Sequence, residues 1–566
     1  MKENEYFFQL ISFFIFTIQN LKPFMKRIAF ILIIFLQTSL SFSQEKLIEK
    51  KLNSQLKIPH NHFIYNDLEN KLNNNAHTGL RPLYFYEIDS SKYISQYKDL
   101  VFKKNTWLGR KLFNEHFFVI DDKDYFITID PLIDLRIGKD NNSQYNYVFQ
   151  NSRGIRVEGS LGEDFSFSST IMENWARFPK FLDRYAWIHR PPTIPGWGLN
   201  KSEDRKFVDY PFAEGYATYR PGKYFLFELG HGKNFIGEGY RSLLLSDNAP
   251  VYPYFKIQAT FWKVKYTTFW SAYQDIRPEV TVNGVFKKKF SATHYIDWNI
   301  TPKLNLGFFE TVIWYNENRR GFDVNFLNPL IFFKTVEYET GSNGSNTILG
   351  LNGSWKAPYH LKLYGQLVLD EMTVSKFFGD NGYWANKFGY QIGIKAYDAF
   401  NIPNLFLRLE YNTVRPYTYG HGNQIVNYSH FYQSLAHPFG ANFKETVFEV
   451  QYRYKRWYLH NILNVAQKGF DFDDTYHYGG DINAYIYPEN KGDYIQTLQG
   501  NLGKLIQNNL EAGYLLNPAT NLKIFGGALY RKTQIEQEIN LIKNETTRYF
   551  YLGIRTDLWN NNFDVF

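Results

Sequence analysis

The sequence predicts an all-β protein, a transmembrane antiparallel β-barrel of about 18 strands with a small N-terminal helical domain. Three observations lead to this fold class. The 566-residue chain is 19% aromatic, contains 39 glycines and has no cysteine. From about residue 125, apolar and polar residues alternate in runs of roughly eight to eleven, which is the period of a strand with two unlike faces. The connections between these runs are alternately short and long, as in bacterial outer-membrane barrels.

The composition excludes several other classes of protein. The absence of cysteine excludes a disulfide framework, a thiolate zinc site and a cysteine nucleophile. The mean hydropathy is −0.41, and a multi-span helical membrane protein would need several apolar runs of about 20 residues. The net charge of +8 is spread thinly along the chain and forms no tract suited to nucleic acid, so no nucleic-acid partner is expected.

Near the N-terminus, basic, apolar and small residues follow one another in the order of a secretory signal. Met25-Lys26-Arg27 is basic, Ile28 to Leu36 is an unbroken apolar run, and small residues follow up to Ser43. This order predicts that residues 1–43 are a cleaved signal peptide whose true start is Met25. The alternative is an uncleaved membrane anchor. Export by this route predicts an outer-membrane location for the mature protein.

Residues 44–120 differ from the rest of the chain. Lys46 to Lys57 and Ser90 to Lys104 have apolar residues at helical spacing. We therefore expect a small helical domain on the periplasmic side that caps or partly fills a barrel formed by residues 121–566. The alternative is a flexible leader.

The barrel strands follow from alternation and from the order of the connections. In Leu361 to Leu369, leucines occupy one face and Lys362, Tyr364 and Gln366 the other. A soluble sandwich would give the same alternation, but it would have no reason to keep all its tight turns at one end. Long loops, expected on the extracellular side, are predicted at 173–212, 230–253, 315–347, 413–445 and 468–500. Strands are predicted near 125–138, 153–161, 165–172, 213–219, 223–229, 254–261, 264–274, 293–300, 304–314, 348–355, 361–369, 388–397, 405–412, 446–454, 459–467, 508–516, 522–530 and 549–558.

Enzyme motifs are scarce. The sequence contains no G-x-S-x-G, H-E-x-x-H or P-loop motif. The glycines of 230–239 lack the closing G-K-[ST] of a phosphate loop and predict a tight turn against the barrel mouth. The acidic residues Asp471, Asp473, Asp474 and Asp481 form either a calcium loop or a solvated acidic loop. We predict a non-enzymatic protein with no catalytic residue, no metal and no cofactor.

The long loops combine aromatic rings with amides, guanidinium groups and carboxylates. Rings offer flat apolar faces to sugar C–H groups, and the polar groups match pairs of hydroxyls. The alternative is an aromatic girdle at the lipid interface together with loop packing. The candidate glycan-binding residues are Trp187, Arg190, Trp197, His231, Lys233, Asn234, Arg241, Arg415, Tyr417, Tyr419, His421, Tyr428 and His430.

Three stretches resemble a known family. They are His231 to Ser246 (HGKNFIGEGYRSLLLS), Tyr411 to Tyr419 (YNTVRPYTY) and Asn427 to Phe443 (NYSHFYQSLAHPFGANF). They resemble the Wzi-type capsule-assembly outer-membrane proteins of the Bacteroidetes, and most of all the members called RemB, which are associated with gliding motility. The resemblance runs from about His77 to the end of the chain. It implies an 18-stranded barrel, a periplasmic helical domain and a lectin-like role in holding capsular polysaccharide.

Three functions are compatible with these features. The first is a surface barrel that binds or organises exported polysaccharide, for capsule assembly or for gliding motility. Its partners would be outer-membrane lipid and lipopolysaccharide, surface polysaccharide, and adhesin or gliding-machinery proteins. The second is a porin or solute channel, because barrels of 16 to 18 strands can leave an aqueous channel and inward positions such as Arg408 and Glu410 are polar. The third, an outer-membrane hydrolase, lacks any visible nucleophile and base.

Overall fold

The structure is a computed structural model, and it describes most of the chain after the predicted signal peptide. Residues 1–43 lie outside the described residues, so the predicted cleavage is not tested. The described ranges are 44–69, 78–102, 106–316, 321–330, 332–340, 344–372, 374–377, 382–486, 490–561 and 563–566.

Eighteen antiparallel strands form a closed barrel, as the alternation predicted. Each strand pairs with the next along the chain, and the last closes on the first from the pair Tyr549–Asp140 to the pair Arg555–Asp134. The strands are β1 Tyr125–Asp140, β2 Val148–Leu161, β3 Phe165–Arg177, β4 Val208–Tyr219, β5 Phe225–Gly232, β6 Tyr252–Phe261, β7 Val264–Asp275, β8 Lys287–Asn299, β9 Leu304–Tyr315, β10 Ser345–Ala357, β11 Leu361–Glu371, β12 Lys387–Ala396, β13 Leu405–Val414, β14 Phe443–Tyr454, β15 Trp457–Phe470, β16 Asn501–Asn517, β17 Leu522–Ile535 and β18 Glu545–Thr556.

The two faces of the barrel wall have opposite polarity to those of a soluble protein. On β11 the polar side chains of Lys362 and Gln366 are buried, whereas Leu363 is 39% exposed. On β13, Arg408 and Glu410 are buried and Leu409 is 50% exposed. An apolar exterior around a polar interior is the surface distribution of a membrane-spanning barrel.

Tyrosine rings packed over glycines fix the register of several neighbouring strands. Tyr254, Tyr364, Tyr458 and Tyr551 lie directly opposite Gly230, Gly393, Gly513 and Gly527 respectively. Each ring occupies the space in which a Cβ on the facing glycine would stand. The glycines are therefore needed at these positions because a larger residue would displace the ring.

The N-terminal part of the chain contains the two predicted helices and two more. The helices are α1 Gln44–Asn53, α2 His62–Leu68, α3 Ser90–Leu100 and α4 Trp107–Phe113. Asn61, Asp89 and Thr106 cap the last three through their side-chain oxygens. No helix in the described part of the chain is long and apolar enough to cross a membrane. The short strands Leu80–Arg81 and Phe118–Asp121 were not predicted.

Four segments, which we call the lumenal segments, fold against the inward-facing side of the wall. The first comprises residues 54–69 and 78–88. Its Lys57 Nζ lies 2.9 Å from Glu228 Oε1 of the wall, and its Asn66 Nδ2 donates to Glu449 Oε1 at 3.0 Å. Phe566 lies at the end of the last segment, buried against Phe439 and Phe470. The other three lumenal segments are 233–250, 416–442 and 557–566.

The loop after β9 lies against the outside of the barrel. It belongs to the segment 315–347, which the sequence predicted as a long extracellular loop. Residues 321–330 and 332–340, which we call the wall strap, include the helix α5 Phe333–Thr340. Phe326 and Phe333 of the wall strap are fully buried against outward-facing side chains of β7 to β9. The long connection is thus present at the predicted position, but the sequence did not predict that it packs against the outer wall.

Candidate functional site

The lumenal segment 233–250 is bound to the wall through its backbone. The amides of Tyr240 and Arg241 donate to the two carboxylate oxygens of Glu410, at 2.7 and 3.1 Å. The amide of Leu243 donates to Gln366 Oε1 at 2.8 Å. These polar side chains, buried on the inner face of the wall, satisfy the backbone of a segment that would otherwise leave its donors unpaired. The glycines of 230–239 thus lead into the barrel rather than forming a turn at its mouth.

The segment 416–442 holds 233–250 from the other side. Tyr419 Oη donates to the carbonyl of Leu243 at 2.6 Å, and Tyr428 Oη donates to that of Leu244 at 2.7 Å. The amide of Ser246 donates to the carbonyl of Leu435 at 2.7 Å. The three sequence stretches that carry the family resemblance therefore meet in one packed unit inside the barrel.

A buried charge cluster joins the N-terminal segment to the wall. Lys395 Nζ lies 2.5 Å from Glu69 Oε1, and Lys362 Nζ lies 2.6 Å from Glu238 Oε2. Arg81 Nη2 lies 3.3 Å from the same oxygen of Glu238. Burial by itself would raise the pKa of Glu69, but Lys362, Lys395 and Arg81 hold that pKa well below its ordinary value.

A second buried charge cluster lies nearer the long-loop end of the barrel. Arg241 Nη2 is 3.1 Å from Glu445 Oε1 and 2.9 Å from Asp564 Oδ2. His437 Nε2 is 2.7 Å from Glu445 Oε2. Burial lowers the pKa of His437 to about 4 despite this carboxylate, so the ring is neutral at pH 7. The ion pairs of the two clusters therefore connect three lumenal segments, the first, 233–250 and 557–566, to the wall and to one another.

A cleft of about 580 Å³ opens among the long loops at one end of the barrel. We call it the mouth cleft. Tyr185, His189, Tyr432 and Phe472 line it with half-buried rings that come from the loops after β3, β13 and β15. Its volume lies within the range of known ligand-binding clefts, about 300 to 1,000 Å³. In this cleft, loops that are distant in sequence present ring faces around a common open space.

The charged side chains of the mouth cleft are mostly acidic. Two lysines, Lys468 and Lys543, also line it. Lys468 Nζ is already bound to backbone carbonyls, one of them that of Gly480 at 2.8 Å. Carboxylates are pure hydrogen-bond acceptors at neutral pH, so they suit a ligand that is rich in hydroxyl or amine donors. The acidic residues of the cleft are Asp471, Asp473, Asp474, Asp481 and Glu538.

Contacts between loops hold the rings of the mouth cleft in place. The rings of His189 and Tyr432 stack with centroids 4.5 Å apart. Asn483 Nδ2 donates to the carbonyl of Tyr432 at 3.0 Å, which joins the loop after β15 to the loop after β13. Burial lowers the pKa of His189, so the stacked ring carries no charge at pH 7. Contacts between the loops thus fix the positions of the rings that face the cleft.

Most of the residues that the sequence proposed as glycan ligands are buried, and their polar groups form hydrogen bonds within the protein. Arg241, Tyr419 and Tyr428 belong to the packed unit described above. Tyr417 Oη donates to the carbonyl of His477 at 2.8 Å, and the amide of Gln274 donates to His430 Nδ1 at 3.0 Å. The buried candidates are Trp197, Asn234, Arg241, Tyr417, Tyr419, Tyr428 and His430.

The remaining candidates are more accessible but are dispersed. Lys233 Nζ donates to the carbonyls of Gly196 and Asp247 at 2.7 and 2.8 Å. Arg190 and His231 are exposed, and Trp187, Arg415 and His421 are half-buried. The mouth cleft is lined instead by neighbours of the candidates in the same loops, of which His189 and Tyr432 are the clearest. The cleft includes residues of the two loops, 173–212 and 413–445, in which aromatic content placed most of the candidates, but nothing in the sequence distinguished rings that face a cleft from rings that pack inward.

Two cavities of about 180 and 170 Å³, with charged and apolar side chains in their linings, lie elsewhere in the described structure. The first is lined by Arg136, Asn464, Glu511 and Arg555 among others. The second is lined by Lys51, Glu158 and Arg453 among others. Both cavities lie between the lumenal segments and the wall.

The fold and its surface define the class of protein: this is a β-barrel of the outer-membrane type. Among solved structures, the chain is similar to Escherichia coli Wzi, an outer membrane protein involved in group 1 capsule assembly and described as a carbohydrate-binding β-barrel. The TM-score is 0.53 with 13% identity, over 89% of this chain and all of Wzi. Pseudomonas aeruginosa OprD matches with a TM-score of 0.39 and 12% identity, over 76% of this chain and 94% of that one. No protein-family model and no curated protein sequence matches.

Proposed function

We propose that the protein is a non-enzymatic outer-membrane barrel that binds and organises polysaccharide at the cell surface, and that the polysaccharide binds in the mouth cleft. The observation that carries this proposal is the convergence of the loops after β3, β13, β15 and β17 on one cleft lined by ring faces and carboxylates. Sugar rings have apolar C–H faces and polar hydroxyl edges, and the cleft offers a partner for each. The carbohydrate binding described for Wzi supports the same function.

The charge of the mouth cleft indicates which charge the bound polysaccharide should carry. Five carboxylates and two lysines give the lining an excess of negative charge. An anionic polysaccharide would be repelled, and the repulsion would be strongest at low salt. The proposed ligand is therefore a neutral or amine-bearing polysaccharide.

Titration of the purified protein with neutral, amine-bearing and anionic polysaccharides tests this proposal. Tyr432→Ala should weaken binding about tenfold, which corresponds to about 1.4 kcal/mol. Tyr494→Ala is the matched control, because Tyr494 is exposed in the loop after β15 and lies outside the cleft lining. Equal affinities of the wild type and both variants, or no binding of any polysaccharide, would contradict the proposal.

The sequence resemblance to the RemB proteins also supports a role in gliding motility. A deletion strain distinguishes the two roles. Loss of surface-attached polysaccharide with motility intact would support capsule attachment. Loss of spreading with polysaccharide unchanged would support a motility role in which this protein contacts adhesins or the gliding machinery.

A solute channel is the second candidate function. The two cavities between the lumenal segments and the wall favour it, because charged side chains line both. Conductance measurements decide between a channel and a closed binding barrel.

A further inference from the structure

We propose that the wall strap is embedded in the membrane, where its outer face contacts lipid acyl chains. This contact would lie on the outside of the barrel, away from the mouth cleft. The side chains of β7, β8 and β9 alternate between the two faces of the wall that the strap covers. Odd-numbered side chains of these strands face inward: Lys265 pairs with Glu87 of the first lumenal segment, and Asp297 accepts from the amide of Gly79 at 3.0 Å. Because side chains alternate along a strand, the even-numbered ones face outward.

The wall strap contacts these outward-facing side chains over most of the height of the wall. Trp314 Nε1 donates to the carbonyl of Gly321 at 3.2 Å near the long-loop end of β9. Trp270 Nε1 donates to the carbonyl of Phe326 at 2.8 Å, and Tyr266 Oη donates to that of Pro329. The ring of Phe332 lies 6.0 Å from that of Phe308, near the short-turn end. From Trp314 to Phe308 the contacts span about 20 Å along the strand, compared with an apolar band about 25 Å tall.

The wall beneath the strap carries polar side chains among its apolar ones. Thr268, His294 and Glu310 occupy outward positions, as does Thr347 of β10, which pairs with Val312, and all four polar residues are buried. Glu310 Oε1 accepts from the amide of Lys334 at 3.2 Å. A carboxylate facing acyl chains is costly, and intramembrane polar groups are normally paired or covered by protein. The strap supplies that cover and that partner.

The outer face of the strap carries exposed apolar side chains together with exposed polar ones, which include Asn325, Asn328 and Lys334. Leu330 is 82% exposed and Val324 is 71% exposed. They are flanked on the wall by outward-facing Leu306 and Ile296, which are also exposed. The Lys334 ammonium pairs with Glu337 at 2.6 Å within the strap. Lipid is the occupant that fits the apolar side chains of this face, because the wall around the strap is apolar on its outer side. The other exposed apolar residues of the strap are Phe322, Leu327 and Phe332.

Because the chain has no cysteine, single-cysteine variants test this proposal without background. Val324→Cys and Leu330→Cys carry a nitroxide label on the strap in proteoliposomes. Leu552→Cys is the lipid reference, since Leu552 is an exposed side chain on the wall, and Asp474→Cys in the mouth cleft is the aqueous reference. All four side chains are exposed, so the labels leave the packed interior untouched. Circular dichroism checks that each variant is folded.

We expect both strap labels to behave like the label at Leu552, relaxed more strongly by oxygen than by a water-soluble nickel chelate. Labels that match Asp474 instead would show that the strap faces water, and would overturn the proposal. Labels protected from both relaxants would show that protein covers the strap, and would also overturn it. In that last case, spin–spin broadening would identify the covering protein as a second copy of this chain.

Discussion

The buried carboxylate of Glu69 attaches the first lumenal segment to the wall, and its removal should lower the free energy of unfolding. Glu69 is in contact with Lys395 and Lys362, and Tyr397 Oη also donates to it. Removing one partner of a buried ion pair costs about 3–5 kcal/mol because the remaining charges lose their counter-charge. We expect Glu69→Gln to lower the free energy of unfolding by that amount, measured with denaturant in detergent. Glu203→Gln, an exposed matched control, should change it by less than about 0.5 kcal/mol.

The same cluster predicts the direction of the pH dependence. The pKa values of Glu69 and Glu238 are lowered in the folded protein: burial opposes this shift, and Lys362 with Arg81 and Lys395 outweighs it. A carboxyl group with a lowered pKa stabilises the fold fully above its unfolded pKa, about 4.3. This stabilisation is lost as the pH falls through the lowered folded pKa. Unfolding measured from pH 7 down to pH 3 should show stability falling only in the acidic part, and less steeply in Glu69→Gln.

Charge in the mouth cleft predicts a change of specificity. Asp473 and Asp474 are exposed carboxylates of the cleft lining. Replacing both with Asn removes two negative charges and leaves the ring faces in place. We expect the affinity for an anionic polysaccharide to increase, and the effect of salt on that affinity to become smaller. Calorimetric titrations at low and high salt would show this, and unchanged affinity at both salt concentrations would argue against binding in the cleft.

The sequence predicted the chemistry of individual residues better than their positions. It identified Lys362, Gln366, Arg408 and Glu410 as inward-facing, because alternation alone determines which face of a strand a residue occupies. It could not tell that Tyr419 and Tyr428 would bond to carbonyls inside the barrel. That depends on how two loops distant in sequence fold together, and no local pattern encodes it.

At the scale of elements, the pairing of tyrosine with glycine predicts which glycines tolerate a side chain. A Cβ at position 393 would overlap the ring of Tyr364, whose hydroxyl donates to Glu410 at 2.7 Å. Overpacking of this kind costs about 1–3 kcal/mol. Gly393→Ala should therefore destabilise the protein, whereas Gly422→Ala, where a Cβ meets open space, should be close to neutral. Denaturant unfolding compares the two.

A double-mutant cycle separates this overlap from a general effect of alanine. If the ring is the cause, Gly393→Ala should cost much less free energy in a Tyr364→Ala background, so the two changes would not add. Additive costs would mean that strand propensity, rather than the ring, explains the effect.

All 18 strands were predictable because a membrane barrel must present apolar residues outward at every second position. The wall strap was not, because a loop that lies on the outer wall follows no such rule. Two signals pointed to it nonetheless. Phe322, Val324 and Leu330 place apolar residues in this loop, and His294 and Glu310 place polar groups at outward positions that lipid would not tolerate.

At the scale of the whole molecule, the four lumenal segments predict a barrel with little conductance. They bond to the wall through many charged and polar side chains, among them Glu410, Gln366 and Glu445. Purified protein in planar bilayers should therefore pass much less current than an open barrel of 18 strands, which can leave an aqueous channel.

Replacing residues 237–249 with a short Gly-Ser linker should raise the current, because it removes the segment that Glu410, Gln366 and Glu445 hold in the lumen. The same replacement at 141–147, a loop outside the lumenal segments, should leave the current unchanged. Large, steady currents from the wild-type protein would contradict the closed barrel and make a solute channel the better function. Low wild-type current that rises only in the 237–249 variant would mean that the lumenal segments close the barrel, leaving the mouth cleft as the place where ligands are met.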